Sequence, residues 1–254
     1  MNILGIIPAR YGSSRLEGKP LALIEGKTMI ERVYLRAKMS LNQVVVATDD
    51  GRIVEACKSF DAPVVLTSTA HNSGTNRCLE AYETYIKGLN QPIDIVVNIQ
   101  GDEPLLEPKM LDELCACFDE KNVEMATLAT AVTNTQELLG DSNVFLVKDQ
   151  HQDALYFSRS PLPHVRGAAP TDWLKHHAYF RHLGLYAFRP SALSEFANMP
   201  ASSLENAEAL EQLRWLQAGK KIRVALTQHQ GISVDTAEDL EIVRKLVREQ
   251  EGNA

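Results

Sequence analysis

Residues 6–21 read Ile-Ile-Pro-Ala-Arg-Tyr-Gly-Ser-Ser-Arg-Leu-Glu-Gly-Lys-Pro-Leu, an apolar run that opens into a loop of small and cationic residues. The residue types suit a polyphosphate. Gly12, Ser13, Ser14 and Gly18 let backbone N–H groups approach anionic oxygens, and Arg10, Arg15 and Lys19 add fixed positive charge. Neither Gly-x-x-x-x-Gly-Lys-Ser/Thr nor Gly-x-Gly-x-x-Gly is present, so the loop belongs neither to a P-loop NTPase nor to a dinucleotide-binding protein.

Two acidic positions complement these cations. Val96-Val97-Asn98-Ile99-Gln100-Gly101-Asp102-Glu103-Pro104 is a β-rich run ending in carboxylates, where Asp102 would project at a strand end. In Gly231-Ile232-Ser233-Val234-Asp235-Thr236-Ala237-Glu238-Asp239, Asp235 closes a short β-like segment and opens a helix. Taken singly, the first reads as a turn and the second as a helix cap. With a cationic phosphate loop in the same chain, the two carboxylates together suggest ligands for Mg²⁺ bound to nucleotide phosphates.

These groups need strand ends to carry them. An apolar run at 3–8 reads as a central parallel strand, and further strand-like runs fall at 43–47, 63–67, 93–99, 125–132, 181–188 and 221–226. Helical patterns at 29–38, 50–60, 73–88, 108–119, 192–198, 206–218 and 237–248 lie between most of them. The alternation predicts an α/β fold, a mainly parallel central sheet with helices on both faces, and ligands in such sheets bind beyond the carboxyl ends of strands. An excursion at about 134–179 breaks the alternation. It is expected to be a smaller inserted subdomain that supplies substrate contacts or a dimer surface, within a single domain spanning 1–254.

The chain has 254 residues, 44% of them hydrophobic, enough for one large α/β core. Its net charge of -7 makes the positive loop a local feature of an acidic protein, which argues against a nucleic-acid-binding face. The start lacks a basic segment, and Pro8-Ala9-Arg10 interrupts the first apolar run well short of a membrane helix, so a cytoplasmic protein without membrane insertion is expected. Cys57, Cys78, Cys115 and Cys117 have no metal-ligand spacing and are expected to be free thiols.

The ordered motifs resemble those of the CMP-Kdo synthetase family, the 3-deoxy-manno-octulosonate cytidylyltransferases. The resemblance runs from Ile6 to about Val243. It rests on Pro8-Ala9-Arg10 through Gly18-Lys19-Pro20-Leu21, Val46-Ala47-Thr48-Asp49, His71-Asn72-Ser73-Gly74-Thr75 with Arg77, and Asn98 to Pro104. It continues with Leu155-Tyr156-Phe157-Ser158-Arg159, Arg181-His182-Leu183-Gly184-Leu185-Tyr186, Leu210-Glu211-Gln212-Leu213-Arg214 and Val234-Asp235-Thr236.

The resemblance implies a Rossmann-like nucleotidyltransferase fold and a homodimer that converts CTP and Kdo to CMP-Kdo and pyrophosphate with Mg²⁺, for lipopolysaccharide biosynthesis. By the same resemblance Ala9 contacts CTP, Arg10, Arg15 and Lys19 hold its triphosphate, and Ser73, Gly74, Thr75 and Arg77 form the cytosine site. Asp102 and Asp235 hold metal, and Arg10, Lys19, Asp102 and Asp235 are the catalytic set. Gln100, Arg159, His182, Tyr186, Glu211 and Gln212 are implied to contact the sugar, with Arg159 suited to its carboxylate.

Three positions depart from the family pattern: Asn76 stands where Glu is usual, Glu17 where Pro or sometimes Glu is found, and Phe145 where a Lys is usual. They leave open a modified ulosonic acid, such as 8-amino-Kdo or sialic acid, as the acceptor. A catalytically silent nucleotide-binding relative is the alternative from another class.

Overall fold

The computed structural model describes residues 1–12, 15–71, 73–140 and 143–252. The chain divides into two compact units, one of residues 1–112 and 231–254 and the other of residues 113–230.

The first unit begins with β1 (Ile3–Ala9), then a small antiparallel pair, β2 (Leu23–Ile24) and β3 (Lys27–Thr28). It continues through α1 (Met29–Lys38), β4 (Gln43–Thr48), α2 (Gly51–Lys58), β5 (Val64–Leu66), α3 (Gly74–Tyr85), β6 (Ile95–Asn98) and α4 (Pro108–Ala116), whose last turn runs into the second unit. Strands β6, β1, β4 and β5 lie side by side in that order, all parallel. Their Ile and Val side chains explain the arrangement. Leu4, Ile6, Ile7, Val45, Val46, Val96 and Val97 are completely buried, as expected of parallel strands covered on both faces. Three of this unit's helices, α1, α2 and α3, start on a polar cap: Thr28 accepts from Glu31 N, Asp50 from Arg52 N and Ser73 from Asn76 N.

The second unit contains β7 (Met125–Ala131), α5 (Thr135–Leu138), β8 (Phe145–Lys148), β9 (Ala154–Ser158) and β10 (Phe180–Phe188). Helices α6 (Pro190–Asn198), α7 (Ser203–Glu208) and α8 (Leu213–Gln217) and strand β11 (Arg223–Thr227) complete it. Here β11 runs parallel to β7, whereas β10 is antiparallel to both β7 and β8, and β8 is antiparallel to β9. The chain then returns to the first unit with α9 (Ala237–Gly252), which packs Leu240, Val243 and Val247 against Ile24, Met29 and Val234.

The α/β class and the mostly parallel pairing match the sequence reading. Two details differ. The helix expected at 206–218 is two short helices, because Ala209 takes a left-handed conformation (φ 52°) that ends α7. The excursion at 134–179 holds a β-hairpin, β8–β9, inside a unit wider than the excursion itself. Phe145, one of the departures from the family pattern, is fully buried with Val132, Leu138, Trp173 and Tyr179, so this position is part of an apolar core. The four cysteines are free, and among the described residues no helix is long and apolar enough to cross a membrane.

Candidate active site

At the carboxyl end of β1 the chain leaves the sheet through Arg10 and Tyr11 and re-enters a short 3₁₀ turn at Lys19–Leu21. Ser13 and Ser14 lie outside the described residues. The loop is closed at its base by a hydrogen bond from Gly18 N to Tyr11 O (3.1 Å). Gly18 has φ +66°, and a side chain there would meet the Tyr11 ring at 3.1 Å, so both backbone freedom and small size are required. Arg52 lies over the Tyr11 ring, its guanidinium 3.2 Å from the centroid, and pairs with Asp50 (2.7 Å).

The loop after β6 meets this one closely. A Cβ on Gly101 would stand 2.8 Å from Pro8 O, so glycine permits the two strand ends to approach. Asp102 follows, and its carbonyl accepts from Val234 N (2.9 Å), which draws the segment before α9 into the same place. Thr236 caps α9, accepting from Asp239 N while its own N–H and that of Asp235 donate to the Asp239 carboxylate. Burial pushes the Asp239 carboxyl up, but these hydrogen bonds outweigh it and hold the group below its ordinary value. The capping work that the sequence reading weighed for Asp235 is therefore carried by Thr236, and the Asp235 side chain is turned to the cations.

Lys19 is the hub. Its Nζ donates to Asp102 Oδ2 (2.7 Å), Val234 O (2.9 Å) and Asp235 Oδ1 (3.2 Å), and Arg15 reaches Asp235 Oδ1 at 2.9 Å. Lys19 is 15% exposed and Asp102 25%, so these charges meet at the bottom of a cleft where screening is reduced. The cleft has a volume of about 280 Å³ and is lined by Pro8, Ala9, Arg10, Arg15, Lys19, Pro20, Gln100, Gly101, Asp102 and Asp235. Seven of the residues singled out from the sequence thus meet in one place: Ala9, Arg10, Arg15, Lys19, Gln100, Asp102 and Asp235.

The donor set fits a small hard cation. Two carboxylates and a backbone carbonyl already converge on one positive centre, the Lys19 ammonium, and all are oxygen donors of the kind Mg²⁺ prefers. Among the described residues no group of three or more His, Cys, Asp or Glu is assembled. A metal here would be held by one or two carboxylates with phosphate oxygens completing its shell.

Ser73, Gly74 and Thr75 open α3 beside the end of β1, where a Cβ on Gly74 would lie 3.8 Å from Pro8 Cγ. Asn72 lies outside the described residues. The Ser73 hydroxyl is committed to Asn76, accepting from its N–H (3.2 Å) and donating to its Oδ1 (2.6 Å), which leaves the main chain for a base. Glu80 ties the preceding loop to α3 through Ser68 N (2.9 Å) and His71 Nε2. Arg77 does not line the cleft. It is 4% exposed, and its guanidinium donates to Asp49 Oδ2 (2.6 Å) and Thr67 Oγ1 (2.5 Å), joining α3 to the ends of β4 and β5.

The remaining residues belong to the second unit. Arg159 follows β9 and is bound to the end of α7: its N–H donates to Glu208 Oε2 (2.9 Å), Nε to Glu208 O (2.7 Å) and Nη2 to Ala209 O (3.2 Å). His182 and Tyr186 lie on β10 with ring centroids 5.4 Å apart, and Phe157 meets His182 edge-on at 5.1 Å. Burial, helped by the adjacent Arg181, pushes the His182 imidazole down to about 3, so the ring is neutral. Burial and the negative charge of Glu211 push the Tyr186 hydroxyl well above its ordinary value. Glu211 lies 3.5 Å from Arg214 Nη2. Gln212 is 4% exposed, and its Nε2 finds no partner among the described residues, a buried donor that calls for an acceptor.

Asp49, Arg52, Thr127, Glu208 and Val234 complete the surroundings of these groups without having been singled out for the site. Asp49 lies two residues past a predicted strand, which is a usable signal. A backbone carbonyl such as Val234 O has none.

A parallel sheet whose strand ends carry cations and carboxylates into one cleft defines a nucleotidyltransferase-type site. The family model described as cytidylyltransferase matches residues 4–222. The 3-deoxy-manno-octulosonate cytidylyltransferase of Parabacteroides distasonis is 46% identical over 95% of this chain and 96% of its own, and that of Bacteroides thetaiotaomicron 47% identical over 98% and 99%. A solved structure of CMP:2-keto-3-deoxy-manno-octonic acid synthetase complexed with CTP is 40% identical, covers 98% of this chain and 100% of that one, and superposes with a TM-score of 0.89. The chain belongs to the cytidylyltransferases, and among them to the 3-deoxy-manno-octulosonate cytidylyltransferase family.

Proposed function

We propose that this enzyme transfers the cytidylyl group of CTP to the anomeric hydroxyl of Kdo, releasing pyrophosphate and supplying CMP-Kdo for lipopolysaccharide synthesis. The observation that carries the reading is the convergence of Lys19 and Arg15 on Asp102 and Asp235 in a single cleft. The relatives' names supply the substrates.

The hydroxyl, giving up its proton to solvent, attacks the α-phosphorus in line as the bond from that phosphorus to the bridging oxygen breaks, and negative charge grows on that oxygen of the departing pyrophosphate. Arg10, Arg15 and Lys19 neutralise that charge. Asp102 and Asp235 would hold Mg²⁺, which when bound withdraws charge from the triphosphate. Lys19 exchanges its carboxylate partners for phosphate oxygens as nucleotide enters, and the acids remain oriented by Val234 and the Thr236 cap. The main chain of Ser73, Gly74 and Thr75 reads the cytosine, with Arg77 and Asp49 setting the position of that turn. In the second unit Arg159 pairs with the sugar carboxylate, and His182, Tyr186, Glu211 and Gln212 take its hydroxyls or carboxylate. We place the enzyme in the cytoplasm, where CTP is available. We further propose a homodimer, a reading that rests on the resemblance to the family alone.

Pyrophosphate release from CTP, UTP and dTTP, each offered with Kdo, 8-amino-Kdo or sialic acid, tests the assignment. CTP with Kdo is expected to give the highest kcat/KM. Preference for the 8-amino sugar or sialic acid would move the acceptor to a modified ulosonate, and CTP binding without turnover of any of them would refute the catalytic reading.

A further inference from the structure

Strand β10 is irregular where it passes β7. Leu183 stands opposite Leu128, but the next paired residue is Tyr186, opposite Thr127, so Gly184 and Leu185 are looped out of the ladder. The bulge brings His182 and Tyr186, four residues apart in sequence, opposite positions only two apart on β7, Ala129 and Thr127. Regular pairing would separate them by about 14 Å along the strand, against about 7 Å with the bulge. Their rings touch for this reason.

Thr127 sits in the mouth of the bulge and is completely buried. Its Oγ1 lies 2.7 Å from Leu185 O, 3.3 Å from Leu183 O and 2.9 Å from His182 Nε2. A threonine hydroxyl has one hydrogen and two lone pairs. Both carbonyls accept only, so the hydrogen goes to the bulge, to Leu185 O at the shorter distance. His182 Nε2 must then be the donor to Oγ1. In a neutral imidazole this leaves the lone pair on Nδ1.

We propose that Thr127 is a positioning residue of the sugar site, holding His182 as the Nε2–H tautomer so that Nδ1 accepts a hydrogen bond from a hydroxyl of the bound sugar acid. The proposal rests on the assignment of His182 to the sugar made above. A neutral acceptor takes a hydrogen bond from a hydroxyl without adding a second cation to the sugar site, and it discriminates against a sugar lacking that hydroxyl.

The tautomer is read from ¹H–¹⁵N two-bond correlations of ¹⁵N-histidine-labelled protein near neutral pH, the His182→Gln variant identifying the signal among the seven histidines. The wild type is expected to show the neutral Nε2–H pattern. Thr127→Val removes the acceptor and should abolish that pattern's dominance, raising the Kdo KM about tenfold while the CTP KM stays within about twofold. Thr127→Ser keeps the hydroxyl and should restore both readouts. An Nδ1–H or charged His182 in the wild type, a measurement that needs no variant to fold, overturns the proposal, as does an unchanged tautomer in Thr127→Val. A changed tautomer with an unchanged Kdo KM overturns the acceptor role and removes His182 from the sugar site, leaving the assignment of CTP and Kdo as substrates to the pyrophosphate assay.

Discussion

Gly101→Ala perturbs the site through geometry alone, adding one methyl group and no charge. The new Cβ would stand 2.8 Å from Pro8 O, where ordinary contacts begin near 3.4 Å, and the obstacle is backbone that no rotamer change can move. Relief requires a separation of the two strand ends by about 0.6 Å, a strain of the kind that costs about 1–3 kcal/mol in a packed interior. Asp102 is the next residue, so the shift is passed directly to its 2.7 Å contact with Lys19 and to the hydrogen bond from Val234 that aligns Asp235. Misplacement by 1 Å costs about a hundredfold in rate, so a kcat/KM about 10- to 20-fold below wild type is expected. Pyrophosphate release at saturating Kdo measures the rate, and urea denaturation followed by circular dichroism measures the stability. Rates within about twofold of wild type, in a variant destabilised as expected, would show that the approach of Gly101 to Pro8 does not position the carboxylates, and the account of the site would be wrong at its centre.

Asp102→Asn and Asp235→Asn remove charge with almost no change of volume, and each should lower Mg²⁺-dependent turnover about a thousandfold or more with the thermal midpoint little changed; wild-type rates in either variant would remove that residue from the metal site. Arg77→Met leaves the Asp49 carboxylate, 17% exposed, without its cation and should cost about 3–5 kcal/mol in urea denaturation, part of it recovered by pairing with Asp49→Asn. A loss below about 1 kcal/mol would return Arg77 to consideration as a ligand-facing group. Burial pushes the Asp153 carboxyl up, but hydrogen bonds from Arg223 and Lys221 outweigh it and hold its value below the ordinary one. A depressed folded value means that this stabilisation is present above the unfolded value of about 3.9 and is lost as pH falls through the folded one. Acid titration of stability should therefore be shallower below about pH 4 in Asp153→Asn than in wild type, and equal slopes would refute the assignment.

The loop 6–21 could be read for phosphate chemistry because its signals are local: cations spaced among small residues directly after a buried strand. The alternation of strands and helices was readable for the same reason, since the 2.0 and 3.6 periods are written in neighbouring residues. The interruption at Ala209 was not, because a non-glycine residue with positive φ carries no compositional mark. The β8–β9 hairpin was hidden by a bulge between Val147 and Lys148 and by short strands without clean alternation.

Sequence alone thus determined which groups this protein can bring to a nucleotide: Arg10, Arg15 and Lys19 in one loop, Asp102 and Asp235 at two strand ends. Only the tertiary structure decided which side chains use those groups on one another. Lys19 sits on both acids because Val234 N is bonded to Asp102 O across a long stretch of chain, and Arg77 is withdrawn from the cleft because Asp49 and Thr67 meet it where three elements end. Thr127, a strand residue like its neighbours in sequence, acquires its role only when β10 bulges opposite it. Residue type and spacing record what a side chain can donate, accept or neutralise; which partner satisfies it depends on distances set by segments remote in sequence.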